Sequence, residues 1–277
     1  MEVLKLAAFS QNGQGGNPAG VAFYNAMPSD AEMLRIAKEV GYSETAFLVK
    51  QNDSWRVRYF APELEIPFCG HATIALGAAL GERFGDGEYK LVLNQGEISV
   101  RAEKSGNGYS ATLYSPETFS EAAPEEFVDE VLAGFHLTCD QLDPAFPIRF
   151  ASGGAKHLIL VVKERQTLTD MKYDFDKVRV LMMDKNLITI SLLWQASDSV
   201  FHSRNAFASG GVYEDPATGA AAAALAGYLR DIGWQGKSEF AILQGEDMGV
   251  PSRLVVKFGS QVGESVSVSG ETRHIEA

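Results

Sequence analysis

The sequence predicts an α+β fold of two similar lobes, each a strongly curved sheet wrapped round one central helix. Three observations carry that expectation. Cys69-Gly70-His71-Ala72-Thr73-Ile74-Ala75-Leu76-Gly77-Ala78-Ala79-Leu80 is a run of small and apolar residues, which reads as a helix buried on all sides and starting near Gly70. The run Tyr213 to Leu229 repeats the device: shifted by 147 positions the two stretches superpose without a gap, Phe60-Ala61 on Phe207-Ala208 and Gly70-His71-Ala72 on Ala217-Thr218-Gly219. Gly15-Gly16 repeats as Gly153-Gly154 at a slightly different offset, and a duplicated domain accounts for both matches. Around each apolar helix lie many short strand patterns and few helices, which a curved sheet about a central helix satisfies.

In chain order, Val3 to Phe9 reads as a strand and Ser10 to Pro18 as a glycine-rich turn. A dinucleotide-binding loop needs a third glycine where Pro18 stands and a helix where Val21 to Tyr24 reads as strand, so a tight turn is preferred. Asn17 in that turn lines a cleft or serves the turn itself. Ser29 and Glu32 have capping-box spacing, Met33, Ile36, Ala37 and Val40 follow with helical period, and Gly41 ends the helix. Tyr42 to Val49 enters a strand, and Trp55 to Phe60 is another. The first apolar helix runs to about Phe84, followed by a meander at 90–93, 95–103 and 108–114. Ser115 to Pro124 reads as a linker. Beyond it come a helix at 124–134, strands at 148–151 and 157–162, a helix at 175–183, and strands at 187–195 and 200–207. After the second apolar helix come strands at 238–244, 253–258 and 264–269. The expected lobes are 1–117, with 264–277 packing back on it, and 118–263.

The composition narrows the function. The chain has 277 residues, 45% of them hydrophobic, and a net charge of −12, which argues against nucleic acid and anionic membrane surfaces as partners. An acidic small molecule is still compatible, because helix N-termini supply local positive potential. Cys69 and Cys139 do not make a disulfide framework, and Met1 to Phe9 is too short and too acidic for a signal peptide. No apolar run reaches the roughly 18 residues of a membrane span. A soluble, reduced, cytoplasmic protein is expected. His71, His136, His157, His202 and His274 show no metal-ligand spacing with each other or with cysteine, so no metal is expected.

Glu44 shares a strand face with the apolar Ala46 and Leu48. It sits either at the solvated mouth of the strand or in a dry pocket, and residue statistics alone favour the mouth. His71, read alone, is a capping or packing histidine as readily as a proton carrier.

With Gly16-Asn17-Pro18, Ser43-Glu44-Thr45-Ala46-Phe47, Cys69-Gly70-His71-Ala72-Thr73, Glu214-Asp215-Pro216-Ala217-Thr218-Gly219 and Gln244-Gly245 in order along it, the chain resembles the PhzF-like isomerases of phenazine biosynthesis. The resemblance implies a diaminopimelate-epimerase-like fold: two pseudo-symmetric lobes, each a barrel-like, mostly antiparallel sheet around a central helix, with the active site between them. It implies a homodimer without metal or organic cofactor, and a proton-shift isomerase acting on a small carboxylic acid. The catalytic glutamate would be Glu44, with His71 and Asp215 beside it. Substrate-binding positions would be Asn17, Gly70, Ala72, Thr218, Gly219 and Ala220. Ala220 departs from the family pattern, which has serine there, and this leaves open a second reading: a ligand-binding or protein-interaction protein on the same scaffold. Racemases of this fold face two cysteines; Cys69 stands at the first position, but the 147-residue offset gives it Pro216 as a mate, so a two-thiol mechanism is not expected and Cys69 reads as a packed residue. A single carboxylate returning its proton to another carbon performs a shift, and burial is expected to raise its pKa towards neutrality.

Overall fold

The computed structural model describes residues 3–106 and 108–276, so Met1, Glu2 and Ala277, which the expected lobe boundaries include, lie outside the described residues. The chain divides into two compact units, Met1–Tyr114 with Ser269–Ala277, and Ser115–Val268.

In the first unit β1 (Leu4–Ser10) pairs antiparallel with β2 (Asn17–Tyr24), and α1 (Asp30–Val40) follows. Next, β3 (Thr45–Gln51) lies parallel to β2 and antiparallel to β4 (Ser54–Phe60). The two-residue β5 (Glu65–Ile66) folds back on β4 and leads into α2 (Gly70–Phe84). Then β6 (Gly87–Leu93) runs parallel to β4 and opens an antiparallel meander with β7 (Gly96–Ser105) and β8 (Gly108–Tyr114). A strand from the end of the chain, β17 (Ser267–His274), pairs with both β8 and β1. The ladder therefore closes into a barrel, with α2 packed against β1, β2, β3, β6, β7 and β8. Every residue from His71 to Gly81 is buried. Only small side chains allow this: a methyl group at Gly77 would lie 2.6 Å from Val100 Cγ2 and 2.9 Å from Ala111 Cβ. By contrast α1 is amphipathic and stays outside, burying Met33, Ile36 and Ala37. Its ends follow the sequence: Ser29 Oγ accepts from the Glu32 N–H at 3.3 Å, and Gly41, at φ 73°, donates to the Ala37 carbonyl.

The second unit contains β9 (Phe119–Ala122), α3 (Glu125–Gly134), β10 (Arg149–Ser152), β11 (Lys156–Val162), α4 (Arg165–Thr169), α5 (Phe175–Asp184), β12 (Thr189–Ser197), β13 (Val200–Ala206), β14 (Glu214–Asp215), α6 (Gly219–Asp231), β15 (Glu239–Gln244) and β16 (Ser252–Lys257). Its ladder runs β9–β10–β11–β12–β13–β15–β16, parallel at β11–β12 and β13–β15 and antiparallel elsewhere. In this unit α6 takes the central place and packs on β9, β10, β11 and β16. The close approach recurs at Gly227, where a methyl group would lie 2.5 Å from Thr118 Cβ. A second apolar cluster, from Phe127 and Val131 of α3 to Val178 and Met182 of α5, fills the space between these helices and β10 to β12.

The two units share a further device. In each, an arginine on the long strand grips a glutamate on the short return strand: Arg58 Nε donates to Glu65 Oε1 at 2.7 Å, and Arg204 Nε to Glu214 Oε1 at 3.0 Å. The return strand is thereby pinned just before the central helix begins.

Four expectations need correction. The stretch read as a linker holds β9, which pairs antiparallel with β10, and Thr118 just before that strand is almost fully buried against Gly227 of α6. The last strand is Ser267–His274 rather than 264–269, because it is long enough to pair with β1 as well as β8. The helix α6 starts at Gly219, two residues later than the repeat offset places it, since the excursion before β14 (207–213) is longer than that before β5 (61–64). Asn17, expected in the turn, is the buried first residue of β2, opposite Ala8.

Two outcomes test this packing. Gly77→Ala should destabilise the protein by about 1–3 kcal/mol in urea unfolding through overpacking against Val100, while Gly87→Ala, with open space around the added carbon, should be nearly neutral. Equal stability of both variants would mean that α2 is not pressed against β7. His157 is fully buried beside Thr189, and burial pushes its pKa down to about 3. The folded state keeps this ring neutral while the unfolded chain protonates it near 6.5, so its share of stability is complete above 6.5 and drains as pH falls towards 3. His157→Gln should flatten the stability–pH curve between these values, by up to about 1.4 kcal/mol per pH unit. An unchanged slope in the variant would place the ring's titration elsewhere.

Candidate active site

In the first unit, the start of α2 collects the titratable groups. Glu44 immediately precedes β3, and its carbonyl accepts from the Gly20 N–H at 3.0 Å, which ties the residue to β2. Its side chain is 17% exposed, so it is mostly but not wholly shielded from solvent. Glu44 Oε2 lies 3.2 Å from His71 Nε2. The contact is an ion pair rather than an aligned hydrogen bond, and that oxygen is itself buried. Ser43 Oγ stands 3.4 Å from the same Nε2, and Cys69 Sγ stands 3.4 Å from Nδ1. Cys69 is the residue before α2, and its carbonyl accepts from Thr73 through both N–H, at 3.0 Å, and Oγ1, at 2.6 Å. The buried Tyr59 hydroxyl meets Thr73 Oγ1 at 2.7 Å, which anchors the helix start from β4.

The protonation states follow from competing causes. Burial pushes Glu44 up, but the His71 ring, Ser43 and Cys69 pull harder and hold it below the ordinary carboxylate value of 4.5. The expectation of a raised glutamate is therefore overturned, because the partners of the charged form outweigh desolvation. Burial disfavours a charged His71, yet Cys69 and Glu44 together hold its pKa well above 6.5. Burial also pushes the Cys69 thiol up. Of the two partners that raise His71, Cys69 comes first and Glu44 second.

In the second unit, the start of α6 has a polar, hydrogen-bonded arrangement. Thr218 Oγ1 donates to the Asp215 carboxylate. Gln244 Nε2 donates to the Asp215 carbonyl at 2.7 Å, and its Oε1 accepts from the Thr218 N–H at 3.3 Å. Asn205 Nδ2 reaches the same Oε1 at 3.4 Å, and Ser203 Oγ donates to Asn205 Oδ1 at 3.0 Å. Glu214 is buried and paired with Arg204, whose Nη1 also donates to the Thr169 carbonyl at 2.9 Å. Tyr213 stacks on Tyr173 at 4.2 Å between ring centres, packing the approach to β14.

Of the residues expected at the site, Glu44, Gly70, His71 and Ala72 gather at the start of α2, and Asp215, Thr218, Gly219 and Ala220 at the start of α6. Asn17 is buried at the start of β2. Aligned by their helices, the counterpart of Cys69 is Thr218 rather than Pro216, and neither offers a second thiol. The residue pattern gave no hint of Asn205 or Ser203; their signal is alternation along β13, visible only once that strand's partners are known. The histidine spacing likewise concealed that Glu44, Cys69 and His71 bring their ligand atoms within 4.8 Å of one another.

The model of the phenazine biosynthesis-like family, PhzC-PhzF, matches residues 6–276. The chain belongs to that family. Among relatives of this PhzF-like chain, the "uncharacterized isomerase YfhB" of Bacillus subtilis (strain 168) is 29% identical over 287 residues, covering 99% of this chain and 97% of its own length. The crystal structure of a PhzF-family phenazine biosynthesis protein from Bacillus anthracis superposes with a TM-score of 0.88 at 23% identity, covering 100% of this chain and 98% of its own. A probable proline racemase from Agrobacterium radiobacter K84 superposes with a TM-score of 0.65 at 10% identity, covering 99% and 90%. These likenesses settle the fold of the PhzF-like chain as α+β, of the diaminopimelate-epimerase-like kind.

The role of Gln244 is open to measurement. Gln244→Leu strips partners from the Asp215 carbonyl and the Thr218 N–H, and should cost about 1–3 kcal/mol of stability while speeding hydrogen exchange at the Thr218 amide. Unaltered exchange there would mean that Gln244 does not hold the start of α6.

Proposed function

We propose that this chain is a cofactor-independent isomerase that moves a proton between two carbons of a small carboxylic acid, with Glu44 as the acid/base. The observation that carries the reading is the largely shielded Glu44–His71 ion pair at the start of α2. Family membership and the isomerase names of the relatives support the reaction class.

Three groups meet there, and at neutral pH they differ in what they can do. His71 holds its proton, and the Cys69 thiol holds its own. Glu44 is ionised and buried, so it is the member of the trio with a lone pair ready to accept a proton from carbon. In the proposed cycle the carboxylate takes a proton from a carbon made acidic by the substrate's carboxyl group or double bond. The electron pair spreads into that conjugated system. The Glu44 carboxyl group, now carrying the proton, returns it to a second carbon. The atoms of the product equal those of the substrate, so the step needs no oxidant or reductant.

Negative charge that builds on the substrate needs donors. No side chain caps α2, whose leading amides from Gly70 onward are thus suited to that charge. The imidazolium of His71 adds a full positive charge 3.2 Å from the base. Asp215, with Thr218, Gly219 and Ala220, is proposed to hold the substrate's polar groups, and Asn17 and Ala72 to line the pocket; the family motif supports these roles. The reading also takes the chain as a cytoplasmic homodimer, which its two free cysteines suit.

Ala220 favours a second reading, a ligand-binding or protein-interaction protein on the same scaffold, because the family pattern has a hydroxyl at that position. One experiment separates the two. The protein is incubated in heavy water with a panel of unsaturated and cyclic carboxylic acids, and deuterium uptake is read by mass. Uptake is expected for at least one acid, and Glu44→Gln should lower it by roughly 10²–10⁴-fold with the fold intact. Silence across the panel supports the binding protein; equal uptake by Glu44→Gln removes Glu44 as the base.

A further inference from the structure

The trio at the start of α2 has a second chemical capacity. Cys69 Sγ, His71 Nε2 and a Glu44 carboxylate oxygen all lie within 4.8 Å of one another, and none of the three residues is exposed. A tetrahedral Zn²⁺ bonds sulfur at about 2.3 Å and nitrogen or oxygen at about 2.0–2.2 Å, which sets neighbouring ligand atoms about 3.3–3.6 Å apart. Here Nε2 and Oε2 are 3.2 Å apart, and Sγ and Nε2 are 3.9 Å apart. The Sγ-to-carboxylate side lies within 4.8 Å, so closing the triangle on a metal draws Cys69 and Glu44 together by up to about 1.2 Å, through side-chain torsions. Glu44 Oε2 is buried and has no aligned hydrogen-bond donor, its one close partner being the His71 ring at 3.2 Å, so a cation taking the place of the His71 proton would bond an oxygen already poised for a positive charge.

The donor set selects the metal. Binding releases two protons to solvent, one from the Cys69 thiol and one from the His71 imidazolium, and the resulting thiolate, imidazole and carboxylate suit a borderline-soft ion of the Zn²⁺ class, whereas Mg²⁺ and Ca²⁺ require oxygen-rich shells. Ser43 Oγ, 3.4 Å from Nε2, stands close enough to bond a water or ligand in the fourth position.

We propose that Glu44, Cys69 and His71 form a binding site for a Zn²⁺-class cation, and that the ion inhibits the protein reversibly rather than serving as a cofactor. Binding and inhibition are separate statements. Binding rests on the geometry alone. Inhibition rests on the proton-shift reading above: a carboxylate oxygen bonded to the metal has no lone pair left for a carbon-bound proton.

Co²⁺ is the probe, since a thiolate bound to it gives a near-ultraviolet charge-transfer band and tetrahedral geometry gives intense visible bands. The full-length Cys139→Ser protein is used, so that Cys69 is its one thiol; Cys139 is exposed and plays no part in the trio. One equivalent of Co²⁺ should produce both bands, and Zn²⁺ should bleach them. Cys69→Ser in that background should abolish the charge-transfer band. Glu44→Gln and His71→Asn should each weaken binding at least tenfold, with circular dichroism confirming that every variant is folded. Absence of the band in Cys139→Ser, or its survival in Cys139→Ser with Cys69→Ser, overturns the site. In a second arm, Zn²⁺ should suppress deuterium exchange by Cys139→Ser, and a chelator should restore it. Exchange that continues in the zinc-loaded protein overturns inhibition. If the ion-free protein exchanges no acid at all, it is the isomerase reading that fails, and the cobalt spectra still decide the site.

Discussion

Each unit depends on a helix that has no solvent face. In a surface helix one stripe is buried and the rest is forgiving. In α2 the whole run from His71 to Gly81 is buried, and in α6 burial extends from Ala221 to Leu229. Small residues are the only solution where strands press from several sides, which is why Gly77 faces Val100 and Gly227 faces Thr118. Once the helix is fixed in this way its N-terminus is fixed too, and the residue at its first turn inherits that position. His71 is held near Glu44 by the packing of Gly77, Ala78 and Leu80 further along the same helix as much as by its own contacts. Stability and site geometry therefore have a common origin.

The return strands β5 and β14 add a second constraint. A two-residue strand has too few ladder bonds to hold itself. The Arg58–Glu65 and Arg204–Glu214 pairs lock each one to its neighbour, immediately before the central helix. The second pair is the more buried, with both side chains nearly enclosed, and Arg204 also caps the carbonyl of Thr169. Removing either partner there would strand a buried charge, which is more damaging than the pair is stabilising. The same rule applies to Glu44 and His71 at the start of α2, where Ser43 and Cys69 also approach the His71 ring.

Much of this was legible in the sequence. The apolar run of α2, the capping of α1, the repeat and the place of Glu44, His71 and Asp215 in family motifs all belong to local pattern, and local pattern survives folding. What was not legible depends on partners. Thr118 looked like part of a linker because nothing in Ser115 to Pro124 announces that a helix glycine lies against it. Nothing near Glu214 in the sequence announces its burial, because the arginine that pairs with it is on another strand. The two-residue delay of α6 came from a loop-length difference that a gapless repeat cannot register. The pKa of Glu44 went the opposite way from expectation for the same reason: burial can be guessed from neighbouring Ala46 and Leu48, whereas the opposing charge of His71 comes from an element 27 positions away.

That reversal bears on how such a base can work. A carboxylate raised towards neutrality by a dry pocket is a strong base that is often protonated. A carboxylate held down by an imidazolium is always ionised near neutral pH but is a weaker base for it. A weak base abstracts a carbon-bound proton only if the resulting charge is stabilised elsewhere. Under the proposed proton shift, the burden therefore moves from the base to the donors: the uncapped amides of α2 and the positive ring of His71. It also limits the substrates that can react, because the carbon acid must delocalise its charge onto an atom those donors can reach. A carboxylic acid whose double bond or ring conjugates with the reacting carbon meets that requirement, and a saturated acid with no such path does not. With Glu44 as the proposed base, its charge state thus points to the substrate's electronic structure.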